Sequence, residues 1–322
     1  MNDIPFNKKG NPLLRPVSFE EAKSYSPWPN RILGIDGWRK EQRTPSDIIK
    51  EYNDIWYKEA LDYYNKHSDL YQNKRNSGGA VVVIRDIEKY ASKNLQEADN
   101  AMSGDDNLVS FGDQLYLGNP SVLRLLARNY ITEIIGYYMR FYGLKSVIEM
   151  GSGIGINLFN VFLYYGAEYI RGGELCGNSK KLSNKIATDF GVNGEFIDFD
   201  YYKSGDINRL CDYGKDYILV TSHSIEQLPS LPDHFVDEII NLKNPPKAVL
   251  HFEPIQFPEA DIFDSYCKKY SEINLYNQDL FYKLNDAYNA KKIKVLHIGK
   301  HVMGFSAFNP TSVLVWEPIS KR

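Results

Sequence analysis

Cysteine is scarce. Only Cys176, Cys211 and Cys267 occur in 322 residues, and no two of them form a C-x-x-C pair. That spacing excludes a disulfide framework and a cysteine-built zinc centre, leaves packing as their role, and makes a reducing cytoplasm the simplest setting. Charge of one sign is lacking too. Lys and Arg number 38 against 41 Asp and Glu, a net charge of −3, so no overall basic field argues for nucleic acid. No apolar run reaches membrane-spanning length; the nearest, residues 123–145, is broken by Arg124, Arg128, Glu133 and Arg140. It reads as an amphipathic helix packed on a sheet, with no membrane insertion expected. The first sixteen residues, MNDIPFNKKGNPLLRP, have no apolar segment of the signal-peptide kind. What is present, 43% hydrophobic and 25% charged residues, is ordinary for a soluble globular protein with one large or two modest domains. A homo-oligomer stays open.

The first thirty residues are rich in Pro, Asn and Lys and read as a surface wrap. Pro27 and Pro29 read as a stretch of extended backbone. Thr44-Pro45-Ser46-Asp47 reads as a helix start, with an aromatic-rich helix running to about residue 66. Trp28, Trp38 and Trp56 read as core or lid packing, with sugar stacking the alternative. AVVVI (80–84) fits either a short buried strand or a helix start. Residues 102–120 carry glycines and turn formers and read as a boundary and an active-site loop. A helix at about 120–143 then leads into SVIEMGSGIGIN (146–157).

That stretch organises the chain. A short apolar run ends near Glu149, a turn carries Gly151, Gly153 and Gly155, and an apolar helix follows. Strand, glycine turn, helix opens an α/β nucleotide-binding unit. A dinucleotide fingerprint wants its third glycine at 156, which is Ile156. A βα alternation continues through EYIRGGEL, GEFIDFD, YILVTSHSI and AVLHFEPI, then a helical segment at about 258–288. IKVLHIGKHVM and TSVLVWEP close the chain as an antiparallel pair.

The G-x-G-x-G spacing with Glu149 two places before it resembles motif I of class I S-adenosylmethionine (SAM)-dependent methyltransferases. The order of elements over residues 120–322 resembles the same family. The resemblance implies an α/β, seven-stranded Rossmann-like sheet of order 3-2-1-4-5-7-6 with its last strand antiparallel. It also implies a SAM-binding domain at 120–322 and a mainly helical cap at 1–119 that serves the substrate. A carboxylate beside the turn suits SAM, which brings a sulfonium and an ammonium, better than a pyrophosphate. SPWPNRILGI, RTPSDIIKEY, SHSIEQLP (222–229) and HFEP (251–254) are similar to sugar O-methyltransferases associated with bacterial capsule and lipopolysaccharide synthesis. The implied activity is methylation of a hydroxyl or phosphate-type oxygen on a sugar or glycan precursor, with S-adenosylhomocysteine (SAH) as product. In SHSIEQLP, Gln227 stands where a His is common.

The cofactor residues so implied are Glu149, Gly151, Ser152 and Gly153 at the turn, and Glu174 and Leu175 after the second strand. Glu174 would accept from ribose hydroxyls. Asp198, Phe199 and Asp200 follow the third strand and would hold adenine, with the choice of aspartate open. Ser222 and His223 follow the fourth. The catalytic candidates are His223, His251 and Glu253. An alcohol needs a base, and strand alternation puts His251 and Glu253 on one side as base and orienter. A divalent ion on His223, His251 and Glu253 is not favoured, since no compact ligand motif is present. His297 and His301 share a strand face and read as structural. Two other functions stay open: a NAD-linked oxidoreductase, against which Ile156 and the terminal hairpin weigh, and a catalytically inactive methyltransferase-like scaffold.

Overall fold

The computed structural model describes residues 14–38, 45–74, 78–87 and 107–319. A single mixed sheet runs through the chain. Its parallel part is built from β4 (Ser146–Met150), β5 (Tyr169–Glu174), β6 (Gly194–Asp198), β7 (Ile218–Ser222) and β8 (Ala248–Glu253). The long β9 (Ile293–Gly304) and β10 (Thr311–Pro318) form an antiparallel pair, and β10 docks antiparallel on β8. The N-terminal region adds β1 (Leu14–Val17) and the hairpin β2 (Asn107–Phe111) and β3 (Gln114–Gly118). The full order is β1-β3-β2-β9-β10-β8-β7-β4-β5-β6.

The order expected for seven strands is contained in this sheet, which has ten strands among the described residues. The expected mainly helical N-terminal cap is matched only in part: its described residues are mostly helical, but β1, β2 and β3 join the sheet. Residues 102–120 are not simply a loop: 107–118 is a tight hairpin turning at Gly112-Asp113, with Gly112 at φ 60°. The hairpin pairs with the C-terminal end of β9 through Ser110 and Phe111 against Gly304 and Met303. This covers an edge that would otherwise be open to pairing. AVVVI lies in a helix at 78–87.

Helices cover both faces. On one lie α5 (78–87), α6 (Pro120–Tyr142), α7 (Ile156–Tyr165) and α8 (Gly177–Asp189), over Val147, Val220, Leu250 and Phe252. α6 inserts Leu123, Ala127, Ile131, Ile135 and Met139, a spacing that keeps one stripe inward. On the other face α9 (Asp206–Cys211), α10 (Phe235–Ile240) and α12 (Leu280–Asn289) cover Ile148, Leu219, Val249 and Trp316. α1 (Phe19–Ala22), α2 (Trp28–Ile32) and α11 (Ile262–Asn274) form a smaller cluster around Phe263 and Phe308. α3 (Pro45–Glu51) and α4 (Tyr57–His67) are joined by one π-helical turn, Tyr52–Trp56. The start at Pro45 and the end near 66 match the sequence reading. No helix among the described residues is long and apolar enough to cross a membrane.

The shared face expected for His297 and His301 is not observed. His297 is exposed and His301 buried. His301 has φ 48°, and β9 bulges there, with Val313 opposite Gly299 but Thr311 opposite Met303, so the regular alternation is broken at His301.

Candidate active site

The parallel strands end at a cavity of about 600 Å³. Its floor is Glu149, Gly151, Ser152 and Gly153, where β4 turns into α7. Ser222 and His223 beyond β7 and Thr311 at the start of β10 form one wall, with Phe305 beside them. Ala127, Arg128 and Ile131 of α6 form another, and Glu51, Tyr52, Trp56 and Tyr57 bring the π turn over the top. Irregular helical turns of this kind are frequent at functional sites.

The glycine turn is held on both sides. Gly151 has φ 67°, and a Cβ there would lie 2.3 Å from Cβ of Ser224. Gly153 has φ 53°, and its added Cβ would lie 3.2 Å from the Tyr57 hydroxyl. Left-handed backbone and close approach both call for glycine. Glu174 ties the turn to β5: its Oε2 accepts from the Gly153 amide at 2.8 Å and its Oε1 from the Cys176 amide at 2.9 Å. Burial raises the pKa of Glu174, and those two amides oppose the rise.

Glu149 is different. It is buried, Oε1 accepts from Asn157 Nδ2 at 2.7 Å, and Oε2 has no hydrogen-bond partner among the described residues. Burial pushes its pKa up to about 8, with Asn157 opposing and the carboxylates of Glu253 and Glu174 adding to the rise. An uncompensated buried acid on a cavity floor favours a cationic ligand.

His223 sits at φ 50°, a left-handed turn immediately after β7. Ser222 points to the cavity and strand alternation would send the next side chain to the opposite face. The turn keeps His223 on the cavity. Its Nδ1 lies 3.2 Å from Glu226 Oε2 and its Nε2 lies 2.6 Å from Thr311 Oγ1. Glu226 is fixed in turn by Asn309 Nδ2 at 2.9 Å and Gln227 Nε2 at 3.0 Å. Burial lowers the His223 pKa, but the neighbouring Glu226 outweighs it and the net shift is upward. Glu226 moves down for the reciprocal reason, its own burial being outweighed by His223.

Of the residues expected from sequence, Glu149, Gly151, Ser152, Gly153, Ser222 and His223 line the cavity. Glu174 acts on it through the Gly153 amide. The others are placed elsewhere. Leu175 is exposed, 39% accessible, and lies off the cavity lining. Phe199 is buried in the core, edge-on to Tyr201, and lies off the cavity lining. Asp198 pairs with Lys180, and Asp200 Oδ1 accepts from the Tyr202 amide in a local turn. Neither is on the cavity lining.

His251 and Glu253 are corrected as base and orienter. Glu149 stands opposite Val220 and Val220 opposite Leu250, so Glu149 shares a face with Leu250 and His251 points the other way. His251 is fully buried with Trp316 and Phe235. Its Nε2 accepts from Trp316 Nε1 at 3.0 Å and its Nδ1 bonds Thr221 Oγ1 at 2.9 Å. Both ring nitrogens are occupied, and burial drives its pKa down to about 3. Glu253 sits behind the His223 loop, accepting from the amides of Ser224 at 3.1 Å, Ile225 at 3.2 Å and Glu226 at 3.4 Å. Burial raises its pKa to about 7. Among the described residues no three His, Cys, Asp or Glu side chains are grouped to hold a metal ion.

Sequence reasoning missed Glu226, Thr311, Asn309 and, of the aromatic roof, Tyr52 and Tyr57; Trp56 it read as core or lid packing. SHSIEQLP did contain Glu226, three residues after His223. Thr311 and Asn309 reach the site only through the β9–β10 pairing.

No family model and no curated protein sequence matches the chain. Solved structures similar to it include SAM-dependent methyltransferases. Magnesium protoporphyrin IX methyltransferase (ChlM) from Synechocystis PCC 6803 with bound SAH is 12% identical, with a TM-score of 0.42, over 60% of this chain and 84% of that one. Geranyl diphosphate C-methyltransferase from Streptomyces coelicolor A3(2), in complex with Mg2+, geranyl diphosphate and S-adenosyl-L-homocysteine, is 9% identical with a TM-score of 0.35, over 54% and 74%. The O-methyltransferase NcsB1 from neocarzinostatin biosynthesis, in complex with SAM and 2-hydroxy-5-methyl naphthoic acid, is 10% identical with a TM-score of 0.38, over 58% and 56%. The likeness is distant, and what the cavity can hold follows from its own residues.

Proposed function

We propose that this chain is a SAM-dependent O-methyltransferase that moves a methyl group to a hydroxyl or phosphate-type oxygen of a sugar or glycan precursor. One observation carries the cofactor reading: the unpartnered carboxylate oxygen of Glu149 on the floor of a glycine-lined cavity. A cation beside Glu149 favours its carboxylate form, as the sulfonium and ammonium of SAM would, whereas a pyrophosphate would keep it protonated. A volume of about 600 Å³ lies within the ordinary range for small-molecule sites. The residues present therefore fit SAM.

When bound, SAM supplies a methyl carbon already activated by its sulfonium. The chain supplies the rest. Gly151 and Gly153 let the ligand approach bare backbone, and Glu174 fixes the Gly153 amide. Tyr52, Trp56, Ile131 and Phe305 enclose the cavity and exclude water, so that alignment and desolvation do most of the work. His223 is the base, worth about 10²- to 10⁴-fold where proton removal limits the rate. The acceptor class rests on the sequence resemblance, and the aromatic rings of Tyr52, Trp56 and Phe305 suit the apolar faces of a sugar.

Calorimetry and thermal shift with SAM, SAH and NAD test this. SAM and SAH should bind and raise the melting temperature while NAD does neither. Binding of NAD with indifference to SAM overturns the proposal.

A further inference from the structure

We infer that Thr311 and His223 form a proton relay, with Glu226 as the positioning residue that fixes the His223 tautomer. The inference rests on the base assignment above and adds to it the route of the proton and the residues that define the route.

Three geometric facts converge. A Glu226 carboxylate oxygen can only accept, so at 3.2 Å it takes a hydrogen from Nδ1 of a neutral His223. That leaves Nε2 with a lone pair, and its neighbour at 2.6 Å is the Thr311 hydroxyl. Thr311 must then donate to Nε2, which directs its own lone pairs away from the ring. Thr311 and His223 both line the cavity. An acceptor hydroxyl placed there donates to Thr311 Oγ1 while Thr311 donates to His223 Nε2. Asn309 and Gln227 restrain Glu226, so the orientation is built rather than incidental.

The step balances. The acceptor oxygen forms a bond to the methyl carbon, and the carbon–sulfur bond breaks with its electron pair to sulfur. The acceptor proton passes to Thr311 Oγ1, and the original Thr311 proton passes to His223 Nε2. The imidazolium so formed faces the Glu226 carboxylate. The other charged groups around His223 are Glu253 behind its loop and, across the cavity, Glu149, Glu51 and Arg128.

The left-handed backbone at His223 supports the same reading. It is a conformation that non-glycine residues rarely adopt, and it keeps the ring between Glu226 and Thr311. An extended residue there would face away from Thr311.

The test uses full-length protein with 15N-labelled histidine, followed by NMR across pH 5–9 without added cofactor. Wild type should show His223 neutral with hydrogen on Nδ1, titrating above an ordinary histidine. Glu226→Gln should lower that midpoint and mix the tautomers. Thr311→Val should change the Nε2 shift, and Thr311→Ser should restore it. Hydrogen on Nε2 in wild type, or a midpoint unmoved in Glu226→Gln, overturns the relay. A second arm follows SAM conversion to SAH with methyl glycosides as acceptors. Thr311→Val should lose about tenfold or more in kcat with little change in SAM affinity, and Thr311→Ser should recover most of it. Equal kcat in Thr311→Val and wild type overturns the relay even if the NMR result stands. If wild type fails to bind SAM, the methyltransferase reading falls while the NMR arm still decides the tautomer.

Discussion

Replacing Gly151 by alanine separates two effects that usually come together. Gly151 and Gly143 have the same backbone, φ 67° and 66°, but different surroundings. A Cβ at Gly143 meets nothing within 4 Å, whereas one at Gly151 lies 2.3 Å from Ser224 Cβ and 2.8 Å from its Oγ. Gly143→Ala therefore measures the left-handed penalty alone, about 1–2 kcal/mol. Gly151→Ala adds overpacking of about 1–3 kcal/mol, for a total of about 2–5 kcal/mol. Ser224 cannot simply step aside. Its hydroxyl bonds Tyr201 at 2.8 Å and the Met150 carbonyl at 3.1 Å, and its amide is held by Glu253. The glycine turn must shift instead, and the shift reaches the cavity floor. Urea unfolding of the two variants gives the difference in stability, and calorimetry gives SAM affinity. Gly151→Ala should be the less stable and bind SAM about tenfold or more weakly, roughly 1.4 kcal/mol, while Gly143→Ala binds as wild type does. Equal stability of the two variants, with SAM affinity intact in Gly151→Ala, would refute the close packing of the two loops.

Glu174→Ala removes the acceptor for two amides and should weaken SAM binding by about 1–3 kcal/mol in calorimetry; unchanged affinity removes Glu174 from the site. His251→Ala leaves Trp316 Nε1 and Thr221 Oγ1 without their partner and opens a cavity. It should destabilise the fold by about 2–5 kcal/mol in urea while folded protein still binds SAM, and selective loss of SAM binding in a stable variant contradicts the structural role. Glu149, with a folded pKa of about 8 against an ordinary value near 4.3, holds a proton that the unfolded chain has lost between those limits. Stability without ligand should therefore fall as pH rises through that window, and Glu253, at about 7, adds in the same direction. A cation against Glu149 favours its carboxylate, so SAM binding at pH 7 should release up to about one proton, read as an enthalpy that differs between phosphate and Tris buffers. Identical enthalpies in the two buffers would count against contact between Glu149 and the ligand.

The central strands were legible because each is a short apolar run followed by a turn and a helical period. β4, buried along its whole length, advertises itself through SVIEM and the glycines behind it. The N-terminal strands were not, since β2 and β3 are five residues each and sit among turn formers. They pair with each other as a local hairpin, but what joins that hairpin to the sheet is the end of β9, almost two hundred residues away, and no local pattern contains that pairing. AVVVI is helical with Ala80, Val81, Val83 and Ile84 in the buried cluster on that face of the sheet, a case of tertiary context overruling strand preference. The side on which His251 and Glu253 lie was hidden for a related reason. Alternation within β8 correctly relates His251 to Glu253, but the face they share depends on the registers of β4, β7 and β8. Glu149 opposite Val220 and Val220 opposite Leu250 send His251 away from the cavity, and such registers are absent from a one-dimensional string.

Four carboxylates crowd the ends of the parallel strands, and how each is compensated indicates what the cavity is for. Glu174 and Glu253 are satisfied by backbone amides and serve to pin loops. Glu226 is satisfied by His223, Asn309 and Gln227. Glu149 has only Asn157 and one oxygen to spare. A buried acid left short of partners weakens the fold by about 1–3 kcal/mol, more if it is charged, and better packing would readily remove it. Its position on a glycine floor that admits no side chain gives the deficit a direction: the missing partner comes from the cavity, and a positively charged one lets the buried acid ionise. A sulfonium nucleoside with a free ammonium offers that charge; a dinucleotide pyrophosphate, with the opposite sign, would hold the acid in its protonated form.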